Sequence, residues 1–189
     1  FGYRGTKLKE AIHLDIVHDT AVVPSMQSNY LVYDDLVCNN IQITNCQIYD
    51  YPRGIGSHTS IQGVYHKNIK ITNNQLHDLK EAGIKAYNYQ NLTIEGNSIS
   101  KGAVGILVYT SIDNEEEHYL TPLKTTQIEE IPENYFIIIR NNEISEIAPL
   151  KVGNTTSWGD AIRIIGSKER PMIGVLCDSN RIKTMGRYG

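Results

Sequence analysis

Asn68-Ile69-Lys70-Ile71-Thr72-Asn73-Asn74-Gln75-Leu76 reads as two short strands around a turn. Apolar Ile69, Ile71 and Leu76 alternate with polar residues, and the alternation breaks at the Asn73-Asn74 pair before it resumes. Four further stretches lie over Ile69 to Leu76: Ile41 to Ile48, Leu92 to Ile99, Ile137 to Ile144 and Val175 to Ile182. The sixth place of the unit is Asn in four of the five, Asn74, Asn97, Asn142 and Asn180, and Cys46 in the other. Self-similarity of this kind is the mark of a solenoid, in which one unit cannot bury its apolar face alone and stacks on the next. Successive units start 28, 23, 45 and 38 residues apart, so the first two spacings suit one turn of a coil and the last two imply coils with long loops. Stacked coils would bring the Asn side chains into a ladder of amides, each donating to the next.

A second column supports the register. Gly54-Ile55-Gly56-Ser57-His58, Gly83-Ile84-Lys85-Ala86-Tyr87 and Gly105-Ile106-Leu107-Val108-Tyr109 each follow a ladder position, and Ala161-Ile162-Arg163-Ile164-Ile165 and Ala11-Ile12-His13-Leu14-Asp15 repeat the pattern. Every one begins with a small residue followed by Ile. A small residue fits a crowded bend at the entry to a strand, and the Ile would stack inward on its neighbours.

The bulk properties narrow the partners. The 189 residues, 40% hydrophobic and 21% charged, suffice for one domain with a sizeable core. A net charge of −3 with scattered basic residues gives no long-range attraction to nucleic acid or to an anionic membrane surface. The absence of an 18-residue apolar run argues against membrane insertion through a transmembrane helix. Three cysteines are an odd number, so a disulfide framework is not expected, and Cys46 and Cys177 read as small core residues. The chain starts at Phe1, almost inside a strand, and neither end reads as an amphipathic cap, so a piece of a longer protein is expected. Residues 16–37 and 110–134 interrupt the repeat and read as long loops, with a possible helical turn from Thr125 to Glu130.

The Asn-Ile-x-Ile-x-Asn-Asn-x-Ile units resemble right-handed parallel β-helix proteins of the pectin-lyase-like superfold, over roughly residues 8 to 186. The resemblance implies an all-β, single-stranded right-handed parallel β-helix with an Asn ladder and loop insertions, built as a single domain over residues 1–189. Glu10 to Asp19 and Tyr51 to His58 look like a group of bacterial surface or secreted β-helix proteins, which implies a secreted or cell-surface location. The superfold hosts lyases, hydrolases, epimerases, esterases, adhesins and phage tailspikes, so fold alone does not select among them. Of the polygalacturonase elements only Arg181-Ile182-Lys183 matches, on the ladder turn, and the pectate-lyase calcium cluster has no counterpart. No cofactor is expected, with calcium the one ion left open.

Chemistry is then sought on the outer face of the second column. Residues one and three places after the inward Ile share the solvent side of a strand. They are His13 and Asp15, Gly56 and His58, Lys85 and Tyr87, Leu107 and Tyr109, and Arg163 and Ile165. A face with two His, an Asp, a Lys, two Tyr and an Arg suits an extended polysaccharide or cell-surface glycan: Tyr rings pack on sugar faces, and charged groups hold hydroxyls or uronate carboxylates. Lyase or epimerase chemistry assigns His58 and Lys85 as catalytic residues, with His13, Asp15, Arg53, Tyr87, Tyr109 and Arg163 binding substrate. A glycoside hydrolase would need two carboxylates about 5 to 9.5 Å apart, for which Glu10 and Asp160 stand at matching positions. A non-catalytic glycan-binding, adhesin or spike-type module is the reading from a different class. His13, Asp15, His18 and Asp19 have workable metal-ligand types without a specific spacing, and Asn91-Leu92-Thr93 and Asn154-Thr155-Thr156 match the glycosylation pattern. His66 and His77 read as surface residues, and Trp158 as either a sugar platform or a plug over a coil edge.

Overall fold

Residues 10–14, 38–57, 66–109, 137–152, 155–166, 172 and 174–185 are described in the computed structural model. Their regular elements are all strands, β1 to β17 in chain order. Three parallel five-stranded sheets contain fifteen of them. Sheet A runs β1(Glu10–His13), β4(Arg53–Gly56), β7(Ala82–Tyr87), β10(Val104–Tyr109), β15(Asp160–Ile165). Sheet B runs β2(Gln42–Thr44), β5(His66–Thr72), β8(Tyr89–Glu95), β11(Ile137–Arg140), β16(Val175–Asp178). Sheet C runs β3(Gln47–Tyr49), β6(Gln75–His77), β9(Ser98–Gly102), β12(Glu143–Ile147), β17(Arg181–Met185). The chain visits A, B and C in turn, five times over, which is a parallel β-helix. A small antiparallel hairpin, β13(Leu150–Val152) and β14(Thr155–Ser157), stands outside the stack.

Three bends per coil close this triangle, and each uses a left-handed residue. Before every ladder position the backbone is left-handed, at Asn45, Asn73, Gly96, Asn141 and Ser179. Five residues on, the bend toward sheet A repeats it at Asp50, Asp78, Lys101 and Glu146, and at the third corner it falls on Asn40, Asn68, Asn91 and Gly174. Asn, Asp and Gly tolerate this conformation best, which is why turn residues recur in the sequence with the coil's period.

The ladder forms as expected, and it is closed at every link. Asn74 Nδ2 donates to Asn97 Oδ1 at 3.0 Å, Asn97 Nδ2 to Asn142 Oδ1 at 3.0 Å, and Asn142 Nδ2 to Asn180 Oδ1 at 2.9 Å. The second amide hydrogen goes to a main-chain carbonyl of the preceding coil, Ile43, Ile71, Ile94 or Ile139. Each acceptor oxygen also takes the backbone N–H of the preceding ladder residue, beginning with Cys46 on Asn74 at 2.9 Å. Asn74, Asn97 and Asn142 are buried, and burial of a primary amide is tolerable only with its hydrogen bonds made. Inside the coil, Ile55, Ile84 and Ile106 pair in register and are fully buried beside Ile69, Leu92 and Ile137.

The small residues opening the second column also have their reason. A Cβ on Gly83 would stand 2.6 Å from the Gly105 carbonyl oxygen and 2.6 Å from Ile99 Cγ2; Gly105 has the same conflict with the Ala161 carbonyl oxygen and Ile144. Two expectations are corrected. His66 is buried rather than on the surface: its Nδ1 accepts from the Cys38 N–H at 3.1 Å, and its ring meets Tyr89 edge-on. Cys177 is exposed rather than in the core, although it sits in register with the buried Ile139. It belongs to the last described coil, whose inner side chains have no coil over them there: Ile182 is 48% exposed, against 0% for its partner Ile144. The loops expected over residues 16–37 and 110–134, with the turn at Thr125 to Glu130, lie outside the described residues.

Candidate functional site

Strand register turns the outer face of sheet A into rows. Glu10, Arg53, Ala82, Val104 and Asp160 align in the first, and His13, Gly56, Lys85, Leu107 and Arg163 in the second. Tyr87, Tyr109 and Ile165 align in the third. Gly56 is what lets Lys85 settle: a Cβ on it would stand 2.5 Å from the Lys85 carbonyl oxygen and 3.0 Å from the Lys85 Cβ.

The first two rows converge on a charged cluster. Arg53 Nη1 donates to Glu10 Oε1 at 2.7 Å, and Arg53 Nε to Glu81 Oε2 at 2.5 Å. The other Glu81 oxygen faces Lys85 Nζ at 3.5 Å, longer than an ordinary hydrogen bond, and is buried with no other partner among the described residues. Lys85 Nζ also lies 4.9 Å from the centre of the Tyr87 ring, which meets Tyr109 edge-on at 5.1 Å. Two carboxylates and two cations thus balance in a nearly water-free setting; the Lys85 side chain is 7% exposed. Burial first, then the Arg53 guanidinium, pushes the Lys85 ammonium below the usual lysine range, against the pull of Glu81 and Glu10. For Arg53 burial works against the charge, and the Glu81 and Glu10 carboxylates more than offset it.

Glu81 escaped the sequence reading because it stands one residue before β7, at the bend rather than at a row position. Its main chain is fixed there: its N–H donates to the Pro52 carbonyl, and its own carbonyl accepts from both Ala103 and Val104. A carboxylate just ahead of a Gly-Ile strand entry was the available signal.

Of the residues singled out for a site, Arg53, Lys85, Tyr87 and Tyr109 are brought together. Arg53 is held on both sides by carboxylates. Arg163 shares the Lys85 row two strands along, roughly 10 Å at the Cα atoms, and contacts Asp160 at 3.4 Å with its guanidinium side 38% exposed. His13 is exposed at the far edge of the sheet, on β1. Asp15 and His58 lie outside the described residues, as do His18 and Asp19. Glu10 and Asp160 share a row but occupy opposite edges of sheet A, about 19 Å apart at the strand spacing, which is too far for a pair of glycosidase carboxylates. Trp158, partly buried, packs over Ala82, Val104 and Leu107 on this face.

Calcium was the ion left open. It takes six to eight oxygen ligands, and the described carboxylates here, Glu10, Glu81 and Asp160, already face Arg53, Lys85 or Arg163. This donor set does not fit the ion.

A family model described as a right-handed β-helix region matches residues 28–189. The chain belongs to that family. No curated protein and no solved structure matches it. In the order of this right-handed β-helix, residues 15–37, 58–65, 110–136 and 167–171, which lie outside the described residues, fall in sequence between a sheet A strand and the following sheet B strand.

Proposed function

We propose that this β-helix is carbohydrate-active: it takes an extended polysaccharide along the outer face of sheet A and abstracts a proton from it, as polysaccharide lyases and epimerases do. The supporting observation is Lys85, an amine on the sheet face held between Glu81 and the Tyr87 ring and pushed toward its neutral form. Removing a proton beside a uronate carboxylate requires a base within reach and a cation that spreads the developing charge onto the carboxylate. Lys85 supplies the base. Arg163, half-exposed and singly paired, is the cation for the carboxylate, because Arg53 is already matched by two carboxylates. Tyr109, backed edge-on by the buried Tyr87, gives the apolar contact for a sugar ring, and His58, next in the chain after the buried Ser57, is assigned as proton partner, with His13 and Asp15 as outer contacts. Secretion or display at a cell surface fits such a substrate.

The test is to incubate the protein with a panel of uronate polymers and follow the ultraviolet absorbance of unsaturated products. Lys85→Met should lower kcat by about 10²- to 10⁴-fold while polymer binding is retained. Turnover that survives this change removes Lys85 from the chemistry. A second reading, a glycan-binding or adhesive module without catalysis, is favoured by the charge balance of the Glu10, Arg53, Glu81 and Lys85 cluster, which also suits a structural role. It predicts polymer binding with no unsaturated product.

A further inference from the structure

We infer that Glu81 is a positioning residue that clamps Arg53 and Lys85 into one unit and sets where, and in which charge state, the Lys85 amine is presented; the inference rests on reading Lys85 as the base. Three observations carry it. Glu81 is buried, and its main chain is pinned by hydrogen bonds to Pro52, Ala103 and Val104, so its carboxylate has a fixed origin. One oxygen grips Arg53 Nε at 2.5 Å, whereas the other, buried with no other partner among the described residues, has Lys85 Nζ as its cation at 3.5 Å. Among the described residues, the remaining charged or titratable groups around the amine are Arg53 on β4, Glu10 on β1, Tyr87 on the same strand and Tyr109 on β10. Within this set Glu81 is the negative charge nearest the amine and the one that touches both cations. A carboxylate that hydrogen-bonds the ammonium ideally would lock it protonated. At 3.5 Å the Glu81 carboxylate steadies the amine mainly through its charge and grips the proton less than a short hydrogen bond would.

The experiment is competitive acetylation of the folded protein with trace acetic anhydride across pH, with Lys85 followed by peptide mass mapping against the exposed Lys70 as reference. Glu81→Gln removes the nearest negative charge, so the pH midpoint for Lys85 labelling should fall by about one unit or more. Glu10→Gln, which alters a residue on Arg53 two strands from Lys85, should move it less, and Glu81→Asp should restore most of the wild-type midpoint. A Glu81→Gln midpoint that superposes on wild type, or a larger shift in Glu10→Gln, overturns the inference. If Glu81→Gln does not fold, the order of Glu10→Gln and Glu81→Asp decides: a Glu10→Gln shift at least as large as that of Glu81→Asp overturns it. Failure of the lyase assay would remove Lys85 as a base without altering the labelling result.

Discussion

Two of the polar systems that the described β-helix buries are built on opposite plans. Inside the coil, the Asn74, Asn97, Asn142 and Asn180 ladder uses one neutral residue type at one repeat position, and both hydrogens of each buried amide find an oxygen. On the outside of sheet A, Glu10, Arg53, Glu81 and Lys85 are four one-off charged residues from three repeat positions, with one Glu81 oxygen short of a hydrogen bond among the described residues. A periodic, fully satisfied network serves the scaffold, because every coil needs the same thing from it. An aperiodic charged cluster with an incomplete bond is where local structure departs from the repeat, and such departures gather at functional sites.

Breaking the ladder should have the largest effect on folding. Asn97→Ala strips the acceptor from the Asn74 N–H and amide and a donor from Asn142, all buried, so it should cost about 3 kcal/mol or more in denaturant unfolding. A cost under 1 kcal/mol would show that the ladder is not what holds the register. Next comes the bend that separates the two systems: Gly83→Ala drives a methyl into the Gly105 carbonyl and Ile99, and calorimetry should register about 2 kcal/mol lost. The smallest effect sharpens the comparison most. Because the Lys85 pKa is lowered on folding, the unfolded chain binds more protons between the folded and ordinary lysine values, so stability rises with pH across that window. Lys85→Met should flatten that slope, by at most about 1.4 kcal/mol per pH unit. Asn97→Ala, which removes no titrating group, should lower stability equally at every pH; a pH-dependent loss in Asn97→Ala would tie the two systems together.

Periodic features were legible in the residues. The Asn positions, the Gly-Ile entry to sheet A and the rows through Lys85 and Arg163 all emerge from the alignment of units, and the strand register bears them out. The outer amide ladder was not read, although Asn91 donates to Asn68 at 3.2 Å and Asn68 to Asn39 at 3.0 Å. Those residues lie at the third corner of the coil, where left-handed Asn68 and Asn91 interrupt the period of two within β5 and β8. His66 reads as a surface residue in the sequence, and only the position of Tyr89 and the Cys38 N–H shows that it is enclosed.

By itself the sequence determined the solenoid, its ladder, its bends and which residues of each coil face inward or outward, because every coil meets the same neighbours and so repeats the same residues. The partners of Arg53, the grip of Glu81 on Lys85 and the exposure of Cys177 were decided by tertiary structure alone. Each depends on contacts between residues up to 43 positions apart, or on whether another coil covers the end. A contact made once leaves no period in the chain to read.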